Sequence, residues 1–92
     1  MDRNRLFSSG LIAQWGHILL NFSIASAQGW SAIYNFHVTF NGWGIILLQA
    51  RNQNEIVLGA EYVNNSQFKT LATNHSEEER HIYGIWWLAM GN

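Results

Sequence analysis

At 92 residues the chain holds a single domain, 1–92, and folding a chain this short buries only about 60–65% of its unfolded surface. A net charge of −1, with the basic residues Arg3, Arg5, Arg51, Lys69 and Arg80 scattered, excludes the basic stripe that nucleic-acid binding requires. No apolar run approaches the roughly 20 residues of a membrane span, and no N-terminal segment reads as a signal peptide, so no membrane insertion is expected.

Proline is absent, so Gly, Asn and Ser mark the turns alone. Residues 1–9 read as a leader or shaft end. Leu11 to Phe22 is apolar and makes one long strand or two short ones. Ala32 to Phe40 alternates: Ala32, Tyr34, Phe36, Val38 and Phe40 share one face, while Ile33, Asn35, His37 and Thr39 share the other. That period of two predicts a half-buried strand. Asn41-Gly42 follows as a tight-turn signal. Gly44 to Ala50 is apolar on both faces, which predicts a central strand or one packed against a partner subunit. Arg51-Asn52-Gln53-Asn54 reads as a loop and Glu55 to Val63 as a strand. Asn64-Asn65-Ser66 turns, and Phe68 to Thr73 is a short strand. Ser76-Glu77-Glu78-Glu79 carries no apolar helical face and reads as a solvated loop. His81 to Met90 closes the chain with both faces apolar, so it is no simple edge strand. About six strands at such intervals predict an all-β domain, a small antiparallel sandwich or barrel-like meander.

The aromatic content points beyond a monomer. Five Trp, three Tyr and five Phe stand in a chain that is 48% hydrophobic and 12% charged, against about 25% charged in typical domains. Cysteine is absent, so no disulfide offsets the entropy of ordering, about 1–2 kcal/mol per residue. Self-association or a binding face is expected to take the surplus rings.

Catalytic patterns are missing. Glu55 and Glu61, read as strand carboxylates on one face, stand six residues apart. That is about 20 Å at 3.3 Å per residue, beyond a glycosidase pair. No Ser sits in a Gly-x-Ser-x-Gly context, and no phosphate loop is present. The chain is therefore read as no enzyme, with a glycan hydrolase as the least favoured alternative. His17, His37, His75 and His81 lack the spacings that put two imidazoles on one face, so neither a metal nor a cofactor is expected. Three Asn-x-Ser sequons, at Asn21, Asn64 and Asn74, read as chance in an Asn-rich chain.

Binding fits better. Amides cluster in the expected loops at Asn52, Gln53 and Asn54 and at Asn64, Asn65 and Gln67. A side-chain amide offers donor and acceptor together, which suits sugar hydroxyls. Trp30 and Trp43 stand beside Gly29, Gly42 and Gly44 at strand ends and are the candidate aromatic platforms, with core or interface packing as the alternative for each. Gln14, beside Trp15 and Gly16, is suited to satisfy a buried backbone group, with Trp15 filling core volume and Gly16 allowing close approach.

Two segments carry a family resemblance: Gly10-Leu11-Ile12-Ala13-Gln14-Trp15-Gly16 near the start, and Trp86-Trp87-Leu88-Ala89-Met90-Gly91 at the close. Together they resemble the C-terminal domains of bacteriophage and prophage tail-fibre proteins. Such domains also carry a Val-Thr-Phe-Pro-like strand end, matched here by Val38-Thr39-Phe40 with Asn41 in place of Pro. A late Gly-Phe is replaced by Gln67-Phe68. The resemblance implies an all-β homotrimer at the distal end of a virion's tail fibre. It implies a receptor-binding tip that attaches to a bacterial surface polysaccharide or outer-membrane protein and catalyses nothing. The alternative is a structural trimerisation cap without receptor contact.

Overall fold

Seven β-strands and no helix are formed by residues 3–6 and 10–92, which this computed structural model describes. The strands are β1 (Arg3–Leu6), β2 (Ile12–Ile24), β3 (Gly29–Asn35), β4 (Gly44–Asn52), β5 (Ile56–Asn64), β6 (Gln67–Asn74) and β7 (Arg80–Gly91). A four-stranded sheet runs β1-β2-β7-β4 and a three-stranded sheet runs β3-β6-β5, with every neighbour antiparallel. The all-β antiparallel class follows the sequence reading. The six expected strands correspond to β2 through β7, and β1 adds a seventh. Of the expected leader, residues 1, 2 and 7–9 lie outside the described residues, while Arg3–Leu6 pairs along β2.

Alternation sets which residues meet. Across the larger sheet Gln14, Ala89 and Ile46 form one inward row; Gly16, Trp87 and Leu48 form the next; Ile18, Ile85 and Ala50 form a third. The smaller sheet answers with Tyr34, Phe68 and Tyr62 in register, and with Trp30, Ala72 and Leu58. Two buried clusters result. One gathers Ile12, Phe36, Phe40, Phe68, Trp87 and Ala89, the other Ile24, Ile56, Ala72, Ile82 and Ile85. Ile18 and Leu48 pack against both and join them into one core.

One expectation holds, one loses the first of its two alternatives, and one changes. The last strand is central, between β2 and β7's other neighbour β4, as its two apolar faces imply. β4 is not central. It is an edge strand whose Ile46 and Leu48 face the core while Ile45 and Leu47 face outward, so two apolar faces need not mean an interior strand. The strand expected over Ala32 to Phe40 ends at Asn35. Residues 36–43 cross from the smaller sheet to the larger, so Asn41-Gly42 bends a crossing segment and closes no hairpin.

That crossing segment still buries alternate residues. Phe36 and Phe40 are buried and Val38 packs beside them, although the backbone bends at His37 and Val38 and no strand pairs with it. Its backbone finds substitutes. The Phe36 and Phe40 N–H groups donate to the Ser66 and Asn65 carbonyls, at 2.8 and 2.9 Å. Gln14 completes the set. Its fully buried side chain donates from Nε2 to the Val38 carbonyl at 2.6 Å, and its Oε1 accepts from the Val38 N–H at 3.0 Å. One side-chain amide thus replaces the neighbouring strand that Val38 lacks. Gln14 does what the sequence suggested, but Trp15 does not fill the core. It faces outward opposite Leu88, and Trp87 is the core indole.

The closing Gly91 has an equally local cause. A Cβ there would run into the Trp43 carbonyl oxygen and sit 2.9 Å from the Gly44 Cα. The close pairing of β7 with the start of β4 therefore requires glycine.

Two outcomes follow. Gln14→Met leaves both Val38 backbone groups without a partner and should cost about 2–4 kcal/mol, read as a lower urea midpoint at unchanged slope. Gly91→Ala should separate the ends of β4 and β7, seen as loss of amide protection at Gly44 and Ile45 in hydrogen exchange.

Candidate binding surfaces

The sandwich offers three surfaces: the outer face of the larger sheet and the two ends of the molecule. On the outer face, register sets Trp15, Leu88 and Leu47 in one row, His17, Trp86 and Gln49 in the next, and Met90 beside Ile45. Leu19 and Leu47 are the most open, at 76% and 61% exposed, and Ile45 and Trp86 are about half exposed. His17 lies against Trp86 with ring centroids 4.5 Å apart. None of these side chains carries a carboxylate, an ammonium or a guanidinium. Exposed apolar side chains grouped in this way are the pattern that interaction surfaces carry.

The apolar rows stop at a bulge. β2 and β7 lose register between Leu19 and Phe22, where Asn21 adopts φ 121°. Beyond it the face turns polar. His81 Nε2 meets Asn21 Oδ1 at 2.7 Å and its Nδ1 meets Ser23 Oγ at 3.1 Å, while its ring lies 4.5 Å from that of Tyr83. The Arg51 guanidinium stands 6.0 Å from the Tyr83 ring.

The expected amide residues divide between the two ends. Asn64, Asn65, Gln67 and Trp43 come together at the end that holds Gly91 and the crossing segment. There the amides bond mostly to each other and to the frame. Asn64 donates to Gln67 Oε1 at 3.0 Å, and Gln67 donates to Asn35 Oδ1 at 3.3 Å. Asn65 Oδ1 accepts from the Tyr62 hydroxyl at 2.6 Å and its Nδ2 donates to the Asn41 carbonyl at 3.3 Å. Trp43 is half exposed beside them.

Asn52, Gln53 and Asn54 lie at the opposite end. Asn52 belongs to β4, not to the expected loop, and donates to the Gln53 carbonyl. Gln53 is tied to β7: its N–H donates to the His81 carbonyl at 2.9 Å and its Oε1 accepts the His81 N–H at 2.7 Å. Trp30 sits on β3 toward this end, half buried against Phe22 with centroids 5.4 Å apart. A shallow hollow of about 230 Å³ opens beside it, lined by Gly29, Ser31, Leu71, Ala72 and Thr73.

Arg80, which sequence reading did not single out, organises this end. Its guanidinium bonds Glu78 Oε2 at 3.1 Å and Glu55 Oε1 at 3.4 Å. It stands between two hollows, one of about 360 Å³ lined by Gln53 and Asn54, the other of about 380 Å³ lined by Glu55, His75, Glu77 and Glu78. Glu55 is not a strand carboxylate. It occupies the turn before β5 with φ 71°, whereas Glu61 stays on the β5 outer face opposite Lys69.

The 75–79 loop is firmly held. Buried Asn74 donates from Nδ2 to the Ile24 and Glu78 carbonyls at 2.8 and 2.9 Å, and its Oδ1 accepts the Ser76 N–H at 2.8 Å. Ser76, also buried, bonds the Glu78 backbone at both its N–H and C=O, and Ser26 ties down the Ser76 carbonyl. The segment is a loop, as expected, but its first residue is interior.

Neither a scan of protein-family models nor a search of curated proteins finds a match. Solved structures do match. A fibre of the P. aeruginosa R1 pyocin, comprising its C-terminal residues, superposes with a TM-score of 0.71 over 91% of this chain at 15% identity. This chain has the fold of a tail-fibre domain. It spans about a quarter, 24%, of that pyocin fibre chain. An N-truncated R1-type pyocin tail fibre superposes at 0.68 over the whole chain and 86% of its own, at 13% identity. The tail-fibre resemblance carried by residues 10–16 and 86–91 is thus met at the level of fold. Within it, Gln14 and Gly91 have the structural work described above.

Asn74→Ala should release the 75–79 loop without unfolding the sandwich. Amide protection at Ser76 and Glu78 should fall by about tenfold or more while that of β6 and β7 holds.

Proposed function

We propose that the chain is the non-enzymatic receptor-binding tip domain of a phage-type tail fibre. In this reading it assembles as a homotrimer, sits at the distal end of the fibre on the virion, and attaches to a bacterial surface polysaccharide or outer-membrane protein. The observation that carries the reading is the open apolar outer face of the larger sheet in a chain with the tail-fibre fold. Copies of the chain covering that face with one another would remove Leu19, Ile45, Leu47 and Trp86 from water, stabilising assembly by about 25 cal/mol for each Å² of apolar area still open on them. Assembly through the sheet face leaves the loops at both ends free for a receptor. The amides and the half-exposed Trp43 there have the chemistry to meet hydroxyls and sugar faces.

A second reading, a trimerisation cap without receptor contact, draws support from one observation. At the Gly91 end Asn64, Asn65 and Gln67 spend their hydrogen bonds within the domain. Substituting Asn54 and Asn64 separates the two readings. Lost adsorption to bacteria with intact assembly refutes the cap.

Light scattering should give three times the 10.6 kDa chain mass, and Leu47→Asp should lower it to a single chain that keeps its β-rich circular dichroism. A wild-type chain that is monomeric and adsorbs to no strain of a broad bacterial panel would overturn the proposal.

A further inference from the structure

We infer that the paired hollows astride Arg80 are the receptor subsite, and that they take a neutral, hydroxyl-rich sugar rather than an anionic one. This rests on the receptor-binding reading and gives it a place and a ligand chemistry.

The place follows from what is held and what is left over. Gln53 is fixed through its backbone and its Oε1 to His81, so its Nε2 donors sit in a set position at the wall of the first hollow. Asn54, exposed beside it, adds a second amide. Arg80 uses one N–H of each terminal nitrogen, toward Glu78 and toward Glu55, and its Nε is buried, so the second N–H of each terminal nitrogen is what remains for a ligand. The opposite wall is the loop pinned by Asn74 and Ser76. Donors and acceptors on immobilised segments lose little entropy when a ligand arrives, which is what distinguishes a usable polar hollow from an ordinary wet surface. At the other end of the molecule the oxygens of Asn64, Asn65 and Gln67 already accept hydrogen bonds from within the domain.

The ligand chemistry follows from charge. Glu55, Glu77 and Glu78 line the second hollow with Arg80 and His75, three carboxylates facing one guanidinium, so negative charge is in excess. The guanidinium is engaged by two of those carboxylates, and its charge is not free to capture a phosphate or a sugar acid. An anionic ligand would meet net repulsion within the Debye length of about 8 Å. A neutral sugar meets carboxylates and amide oxygens that accept from its hydroxyls, and Gln53, Asn54 and Arg80 as donors to its ring and hydroxyl oxygens.

The test uses the wild-type chain and the Asn54→Ala, Arg80→Lys and Asn64→Ala variants. Each is titrated with neutral bacterial polysaccharides (mannan- and galactan-type) and with anionic ones (a polysialic acid and a phosphate-bearing teichoic acid). Solution mass and adsorption to whole bacteria are measured alongside. Asn54 is exposed, so its variant should fold even if Arg80→Lys does not. The expected result is binding to a neutral polysaccharide alone, weakened about tenfold in Asn54→Ala at unchanged mass. Binding confined to the anionic polysaccharides would overturn the inference. So would neutral-sugar binding or adsorption to cells that Asn54→Ala leaves unchanged while Asn64→Ala abolishes it. In both cases the receptor-binding reading survives. Failure to adsorb to any bacterium would instead strike that reading itself.

Discussion

The amide of Gln14 decides whether this sandwich closes. The segment from Phe36 to Phe40 crosses between the sheets with no strand beside Val38, and Gln14 supplies both missing hydrogen bonds. The two residues flanking that clamp carry the packing. Phe36 meets Phe40 at 4.9 Å, Phe68 at 5.1 Å, Tyr62 at 5.9 Å and Trp87 at 6.3 Å between centroids. Buried aromatic pairs add about 0.5–1.5 kcal/mol beyond the area they cover. An interior polar group therefore positions the most apolar part of the core. Removing it would leave two buried backbone groups unpaired and free the segment that brings Phe36 and Phe40 into the cluster.

The same logic recurs at the other end. Buried Asn74 fixes the loop that follows β6 by bonding three backbone groups, as Gln14 fixes the segment that follows β3. Both amides stand where the chain leaves one sheet for the other. In each case a strand partner is absent and a side chain takes its part. The mixed exposure of the outer surfaces follows from this economy of strands. Three or four strands per sheet cover one face each, and the larger sheet's second face stays open, apolar from Met90 to Trp86 and polar beyond the bulge.

Much of this was legible in the sequence, though not always for the reason first given. The period-two pattern from Ala32 to Phe40 reports burial correctly, yet only its first half is a strand. Alternation records which way side chains point and says nothing of whether a neighbour pairs with the backbone. Asn41-Gly42 marks a real bend, but a local turn signal cannot say whether the strands on either side share a sheet. The two apolar faces of β4 and of β7 look alike in sequence. One strand is central and the other an edge, and only the register tells them apart. Trp15 and Trp87 likewise exchange the roles that proximity to Gln14 suggested. Arg80 was visible in the Glu77-Glu78-Glu79-Arg80 cluster and Asn54 in its loop. Their meeting depends on β4 and β7 being adjacent, which no short-range motif encodes.

The strand order has a consequence for how the chain reaches this state. Only β1–β2 and β5–β6 join neighbours within a sheet; every other connection changes sheets. β7, the last strand, lies between β2 and β4 and pairs Gly91 with both Ile12 and Gly44. Segments from opposite ends of the sequence must meet before the larger sheet exists, so loop-closure entropy is spent early and folding is slow for a domain of this size. On the ribosome the β1–β2 pair and the β3-β6-β5 sheet could form first, but the larger sheet lacks the strand that joins β2 to β4 until β7 has emerged. Its apolar strands would wait exposed until then, at the stage when such chains are most prone to aggregate.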